Sequence, residues 1–127
     1  MTSDSTVPIV DLFAGPGGLG EGFSSLEGEP FRIKVSAEME SSAHATLRMR
    51  AFYRLLKRQG GSALDSYYRF CNSGAPLLVD DITVAAWAEA EKEALQLTLG
   101  DPADNQRLDA VIAAHGIGPS VPWLLMV

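Results

Sequence analysis

An open, mostly parallel α/β sheet is the fold class this sequence predicts, and three features predict it. Ile9-Val10-Asp11-Leu12-Phe13 is a nearly continuous apolar run, as in buried parallel strands, and it leads straight into Ala14-Gly15-Pro16-Gly17-Gly18-Leu19-Gly20. Gly15, Gly17 and Gly20 keep the G-x-G-x-x-G spacing, in which missing β-carbons allow a sharp strand-to-helix turn and close approach of a ligand. Glu38 stands 20 residues after Gly18 at the end of a second apolar segment, where a carboxylate can accept hydrogen bonds from both ribose hydroxyls of a nucleotide cofactor. Finally, strand-like runs alternate with helical periodicities along the rest of the chain. The expectation is the first part of a doubly wound, Rossmann-like fold, with residues 7–127 in one domain behind a disordered polar tail, residues 1–6.

In order, Val7 to Phe13 forms the first strand. Leu19, Phe23 and Leu26 follow at helical spacing, and Gly28 and Pro30 close that helix. Phe31 to Glu38 alternates as a second strand. Ser41 or Ser42 caps a helix to about Gln59, with Leu47, Ala51, Phe52, Leu55 and Leu56 inward, before Gly60-Gly61 stops it. Leu64, Tyr67, Tyr68 and Phe70 mark a short helix, and Cys71-Asn72-Ser73-Gly74 a turn. Pro76 to Val79 reads as a third strand, which puts Asp80-Asp81-Ile82-Thr83 at a C-terminal strand end, where open α/β sheets bind ligands. Alanine, glutamate and leucine predict helix from Val84 to Leu99, ended by Gly100. Asp101 caps the next helix, Pro102 takes its first position, Leu108, Val111 and Ile112 share a face, and Gly116 and Gly118 end it. A fourth strand runs from Val121 to Val127.

With 127 residues, 46% of them hydrophobic, the chain fits one small domain. Its net charge of −6 gives no electrostatic footprint for nucleic acid, so any DNA-binding surface is local or carried elsewhere. No apolar run approaches the ~20 residues that cross a bilayer, and Met1-Thr2-Ser3-Asp4-Ser5 lacks a signal's basic region, so a soluble cytoplasmic protein is expected. The single Cys71 excludes an internal disulfide. His44 and His115 lack metal-ligand spacing, and no metal is expected. Arg48, Arg50, Arg54, Lys57 and Arg58 read as a solvated helix face, and Trp87 and Trp123 as core anchors. No Gly-Lys-Ser/Thr follows the glycine loop, which excludes a P-loop.

Spacing alone leaves a nicotinamide or flavin dinucleotide and S-adenosylmethionine both open, because each presents an adenosine to the same sheet edge. Asp11-Leu12-Phe13-Ala14-Gly15-Pro16-Gly17-Gly18 resembles the first motif of the DNA cytosine-5 methyltransferases. Ser36-Ala37-Glu38-Met39-Glu40, with Ala43, Ala45 and Thr46, is similar to that family's second motif, and Asp80-Asp81-Ile82-Thr83 to its third, in the family's order. The resemblance implies a methyltransferase fold and S-adenosylmethionine as cofactor. It implies further that Phe13, Gly15, Gly17, Gly18 and Leu19 line the methionine end and that Glu38 holds the ribose. Met39 would lie against the adenine, where many relatives place a tryptophan; Asp81 would accept from the adenine amino group, and Ile82 would cover the other face. Asp80 reads as a cap or turn residue, at a position where relatives usually carry glycine.

Enzymes of that family flip a cytosine out of the duplex and add a cysteine thiolate to its carbon-6, making carbon-5 reactive toward the methyl donor. The resemblance puts this cysteine in a Pro-Cys turn after the fourth strand. Pro122-Trp123-Leu124-Leu125-Met126-Val127 matches that strand, and the chain stops there. Cys71, followed by Asn72 and Ser73 with no proline before it, does not fit the turn. The expectation is therefore the cofactor-binding part of a restriction-modification type DNA methyltransferase, without its catalytic residue and inactive alone. It would be a truncated product, a cut domain or half of a split enzyme. DNA is the substrate expected of the complete enzyme, and a C-terminal fragment the complementing partner. The alternatives are a non-catalytic S-adenosylmethionine-binding module and a dinucleotide-binding oxidoreductase fragment.

Overall fold

A computed structural model describes residues 6–74, 76 and 79–127. Four strands, β1 (Val7–Leu12), β2 (Phe31–Glu38), β3 (Ala94–Gln96) and β4 (Leu124–Met126), form one sheet in the order β3-β2-β1-β4. All three pairings are parallel. The helices are α1 (Gly18–Ser24), α2 (Ser41–Gln59), α3 (Asp65–Ser73), α4 (Val84–Glu93) and α5 (Pro102–Ala114). The chain thus winds outward from β1 through β2 to β3 and then returns to the other side of β1 for β4. That reversal defines a partial doubly wound, Rossmann-like α/β fold, with its switch point between β1 and β4.

Both faces of the sheet are covered. On one face Val35 and Ala37 of β2 pack with Leu97 and with Leu108 of α5, backed by Val111 and Ile112. The alternate residues of the strands face α1 and α2. Against α2, helix α4 packs closely because Ala51, Ala86 and Ala90 are small and fully or nearly fully buried. Phe52 and Trp87 meet edge to face there, with ring centroids 5.0 Å apart, and the Arg48 guanidinium lies over the Trp87 ring.

Several expected boundaries are corrected. The third strand of the sheet is Ala94–Gln96; the strand expected at Pro76–Val79 includes residues 77 and 78, which lie outside the described residues, as do residue 75 and residues 1–5 of the expected tail. The helix expected from Val84 to Leu99 ends at Glu93, because Leu95, Gln96 and Leu97 alternate beside the open edge of β2 and sheet pairing overrides their helix propensity. Helix α3 runs on through Cys71 to Ser73 and stops at Gly74, whose φ is +70°. Glu40, and not Ser41 or Ser42, caps α2, its carboxylate accepting from Ala43 N at 2.6 Å. That bond, with a second from Ser42, holds its carboxyl below the usual range. By contrast, Asp101 caps α5 as expected, accepting from Asp104 N at 3.1 Å.

Arg54 departs most from the expected solvated face. It is 7% exposed, and its Nε donates to Glu21 Oε1 at 2.9 Å while Nη2 donates to Glu93 Oε2 at 2.8 Å. Nearby, Asp11 is 3% exposed and is the register partner of the fully buried Ser36, whose hydroxyl has no hydrogen-bond partner among the described residues. A β-carbon on Gly20 would stand 3.3 Å from Asp11 Oδ2 and 2.8 Å from Ile33 Cδ1, so glycine lets α1 seat over this carboxylate without displacing the Ile33 side chain. Burial pushes the Asp11 carboxyl up from 3.8 to about 6, with the Arg54 charge partly offsetting it.

Two outcomes are expected. Arg54→Ala leaves Glu21 and Glu93 as uncompensated, largely buried charges and lowers the unfolding free energy in urea by about 3 kcal/mol, most of which returns in the triple variant Arg54→Met, Glu21→Gln, Glu93→Gln. For Asp11 the folded pKa lies above the unfolded one, so its contribution is full below pH 3.8 and disappears as the pH rises through about 6. Asp11→Asn should therefore flatten the fall in melting temperature between pH 4 and 7, by the equivalent of ~2 kcal/mol.

Candidate functional site

At the C-terminal edge of the sheet the chain leaves β1 at Phe13, whose φ of +54° is unusual for a residue with a β-carbon. Ala14 N donates to Ala37 O at 3.0 Å, and Gly17 N to Ala14 O at 3.1 Å, so the loop folds back over the end of β2 before α1 begins. Gly15 and Gly17 have φ of +57° and +94°, the left-handed region that favours glycine.

The loop and Glu38 meet. Gly15 N donates to Glu38 Oε1 at 3.0 Å, and Glu40 N donates to Glu38 Oε2 at 2.8 Å. The Glu38 carbonyl accepts from Leu97 N at 3.2 Å, fastening the end of β3 to the same residue. Three apolar side chains, one at each end of the glycine loop and one directly after Glu38, are exposed: Phe13 at 64%, Leu19 at 58% and Met39 at 60%. Open apolar surface beside a structured polar group at a strand-end switch point is what a nucleotide-type ligand needs.

The glycines divide into two kinds. A β-carbon on Gly15 or Gly18 would meet no heavy atom within 4 Å, so both face open space. On Gly17 it would stand 2.9 Å from Leu47 Cδ1 and 3.4 Å from Arg50 Cδ. The bareness of Gly17 thus serves the contact of the loop with α2.

Asp81 and Ile82 do not join this group. They lie in the turn before α4, where Asp80 Oδ1 accepts from Ile82 N and Thr83 N, and Gln59 Nε2 donates to Ile82 O at 2.7 Å. Gln59 ends α2, whereas Glu40 begins it, and its 19 residues separate the two by about 28 Å at 1.5 Å per residue. The structure therefore sets Asp81 and Ile82 apart from Glu38, at the other end of α2. Asp80 is the turn residue it was expected to be.

What sequence reasoning missed is β3 itself. Gln96 Nε2 donates to Met39 O at 3.2 Å, and His44 Nε2 on α2 donates to Ala94 O at 2.8 Å, so both ends of β3 are tied to the site's flank. The signal was present: Leu95-Gln96-Leu97-Thr98-Leu99 alternates with period two and runs into the turn residues Gly100-Asp101-Pro102. Among the described residues no cluster of three or more His, Cys, Asp or Glu side chains could hold a metal ion, and no helix is long and apolar enough to cross a membrane. Cys71 is exposed on α3.

No family model matches the chain, and no solved structure matches it. Over 62 residues, 49% of its length, the chain is 39% identical to the type II methyltransferase M.Bpa9945I of Bacillus paralicheniformis. Those residues amount to 13% of that protein, so the chain spans a small part of the relative it matches. Over about half of its length, then, this chain is similar to a methyltransferase.

Proposed function

We propose that the chain is the cofactor-binding part of a DNA cytosine-5 methyltransferase of the restriction-modification kind, holding S-adenosylmethionine over the C-terminal edge of β1 and β2. The observation that carries this reading is the bond from Gly15 N to Glu38 Oε1, which joins the glycine loop and the acidic strand end into one site. Similarity to a type II methyltransferase supports the methyl donor over a dinucleotide.

The residues present suit that cofactor. A carboxylate offers about four lone-pair positions, and two of those on Glu38 are taken by Gly15 N and Glu40 N. Two remain, enough for the paired hydroxyls of a ribose. Gly15 and Gly18 leave room for close approach, Gly17 sets the turn, and Leu19 and Phe13 supply apolar surface for the methionine end. An exposed phenyl ring also attracts a sulfonium cation through its π-face. Met39 offers a polarizable thioether to the adenine. When bound, S-adenosylmethionine supplies an activated methyl group; these side chains bind and orient it.

Carbon-5 methylation also requires a cysteine nucleophile to make the base reactive. Cys71, on α3 and followed by Asn72, is not assigned that role. A complementing segment or polypeptide would supply the nucleophile and the DNA-recognition surface, in keeping with the acidic charge of this chain.

Calorimetric titration of the chain with S-adenosylmethionine, S-adenosylhomocysteine, NAD and FAD tests the reading. Heat is expected from the first two and not from the dinucleotides; the reverse pattern would overturn the proposal. Glu38→Ala, which removes charge-assisted bonds worth ~1.5–3 kcal/mol, should weaken S-adenosylmethionine roughly 10–100-fold.

A further inference from the structure

The position of Asp81 and Ile82 leaves the base of the cofactor without the polar partner expected for it. We infer that Gln96 reads the base, its side-chain oxygen accepting a hydrogen bond from the exocyclic amino group of an adenosyl cofactor lying along Glu38 and Met39. This assignment rests on the cofactor reading above and extends it to the choice of base.

The register of the sheet pairs Gln96 with Glu38, so the two residues end adjacent parallel strands at the same level. Gln96 Nε2 donates to Met39 O at 3.2 Å. A carbonyl oxygen has no proton to give, so the amide of Gln96 must face it with nitrogen, and its orientation is fixed by chemistry. The atom left over is Oε1, a pure acceptor, which receives no hydrogen bond among the described residues. Gln96 is exposed, as is the Met39 side chain. An open acceptor on a side chain bonded to the Met39 carbonyl, with the Met39 thioether itself exposed, is the minimum device for a flat heterocycle carrying an amino group.

Three further bonds hold the strand ends on which Gln96 and Glu38 stand. Leu97 N to Glu38 O fixes the residue after Gln96, and His44 Nε2 to Ala94 O fixes the first residue of the strand. The bond from Gly15 N keeps Glu38 itself against the loop. A group pre-positioned in this way loses little freedom on binding, so its single hydrogen bond counts toward selectivity. An acceptor discriminates by sign: it attracts a 6-amino purine and repels the carbonyl of a 6-oxo purine.

The test uses the full chain and two probes, S-adenosylhomocysteine and its 6-oxo counterpart S-inosylhomocysteine, each titrated calorimetrically. The wild-type chain should prefer the amino compound by about tenfold. Gln96→Met, an exposed and similarly sized change whose folding is checked by circular dichroism, should bring the two affinities within about twofold. Asp81→Asn should leave the preference intact. Equal wild-type affinities, an unaltered preference in Gln96→Met, or a collapse in Asp81→Asn would each overturn the assignment to Gln96 while leaving the cofactor reading standing. A folded wild-type chain that binds neither compound would overturn both.

Discussion

Arg54 places one guanidinium between two carboxylates from different parts of the chain, and the arrangement of the whole helical layer depends on it. Glu21 belongs to α1, the helix that follows the glycine loop, and Glu93 is the last residue of α4. A planar, forked cation can bind both at once, which a lysine could not do with the same geometry. Taking three charges out of water is costly, so such a group is weak as a source of stability and strong as a determinant of position. It fixes where the loop helix sits relative to the helix that launches β3.

From that layer the constraint passes to Glu38. Its side chain engages the loop, its carbonyl engages β3, and its own strand packs in the core through Val35 and Ala37. Three chain segments distant in sequence therefore converge on a single residue. A site assembled this way is rigid before any ligand arrives, since the backbone amides already satisfied by Glu38 have no reason to rearrange.

Much of this could be read in the amino acids. The run Ile9 to Phe13, the glycines after it and the alternation of Phe31 to Glu38 specify β1, the loop and β2, because local pattern and final environment agree there. Asp101-Pro102 specifies the start of α5 for the same reason. Reading failed where the environment outvoted the local pattern. Ala94 to Gln96 sits at the end of a helix-rich stretch and becomes strand because β2 has an open edge to fill. Asp80-Asp81-Ile82-Thr83 looks like a strand-end motif but folds as a capping turn at the far end of α2, since Asp80 finds partners in the amides of Ile82 and Thr83. Arg54 looks like any surface arginine, because burial of a long cation depends on partners 33 and 39 residues away.

Helix α4 ends at Glu93 and β3 begins at Ala94, with no residue between them. The two periodicities are therefore locked in phase. One residue added between Ala86 and Gln96 would turn the helix face by ~100° or exchange the two sides of the strand, so that Leu95 and Gln96 trade faces. Substitutions in this stretch disturb one contact at a time, whereas a change of length disturbs the helix interface, the ion pair and the sheet register together. The number of residues here, more than their identity, is what the architecture cannot give up.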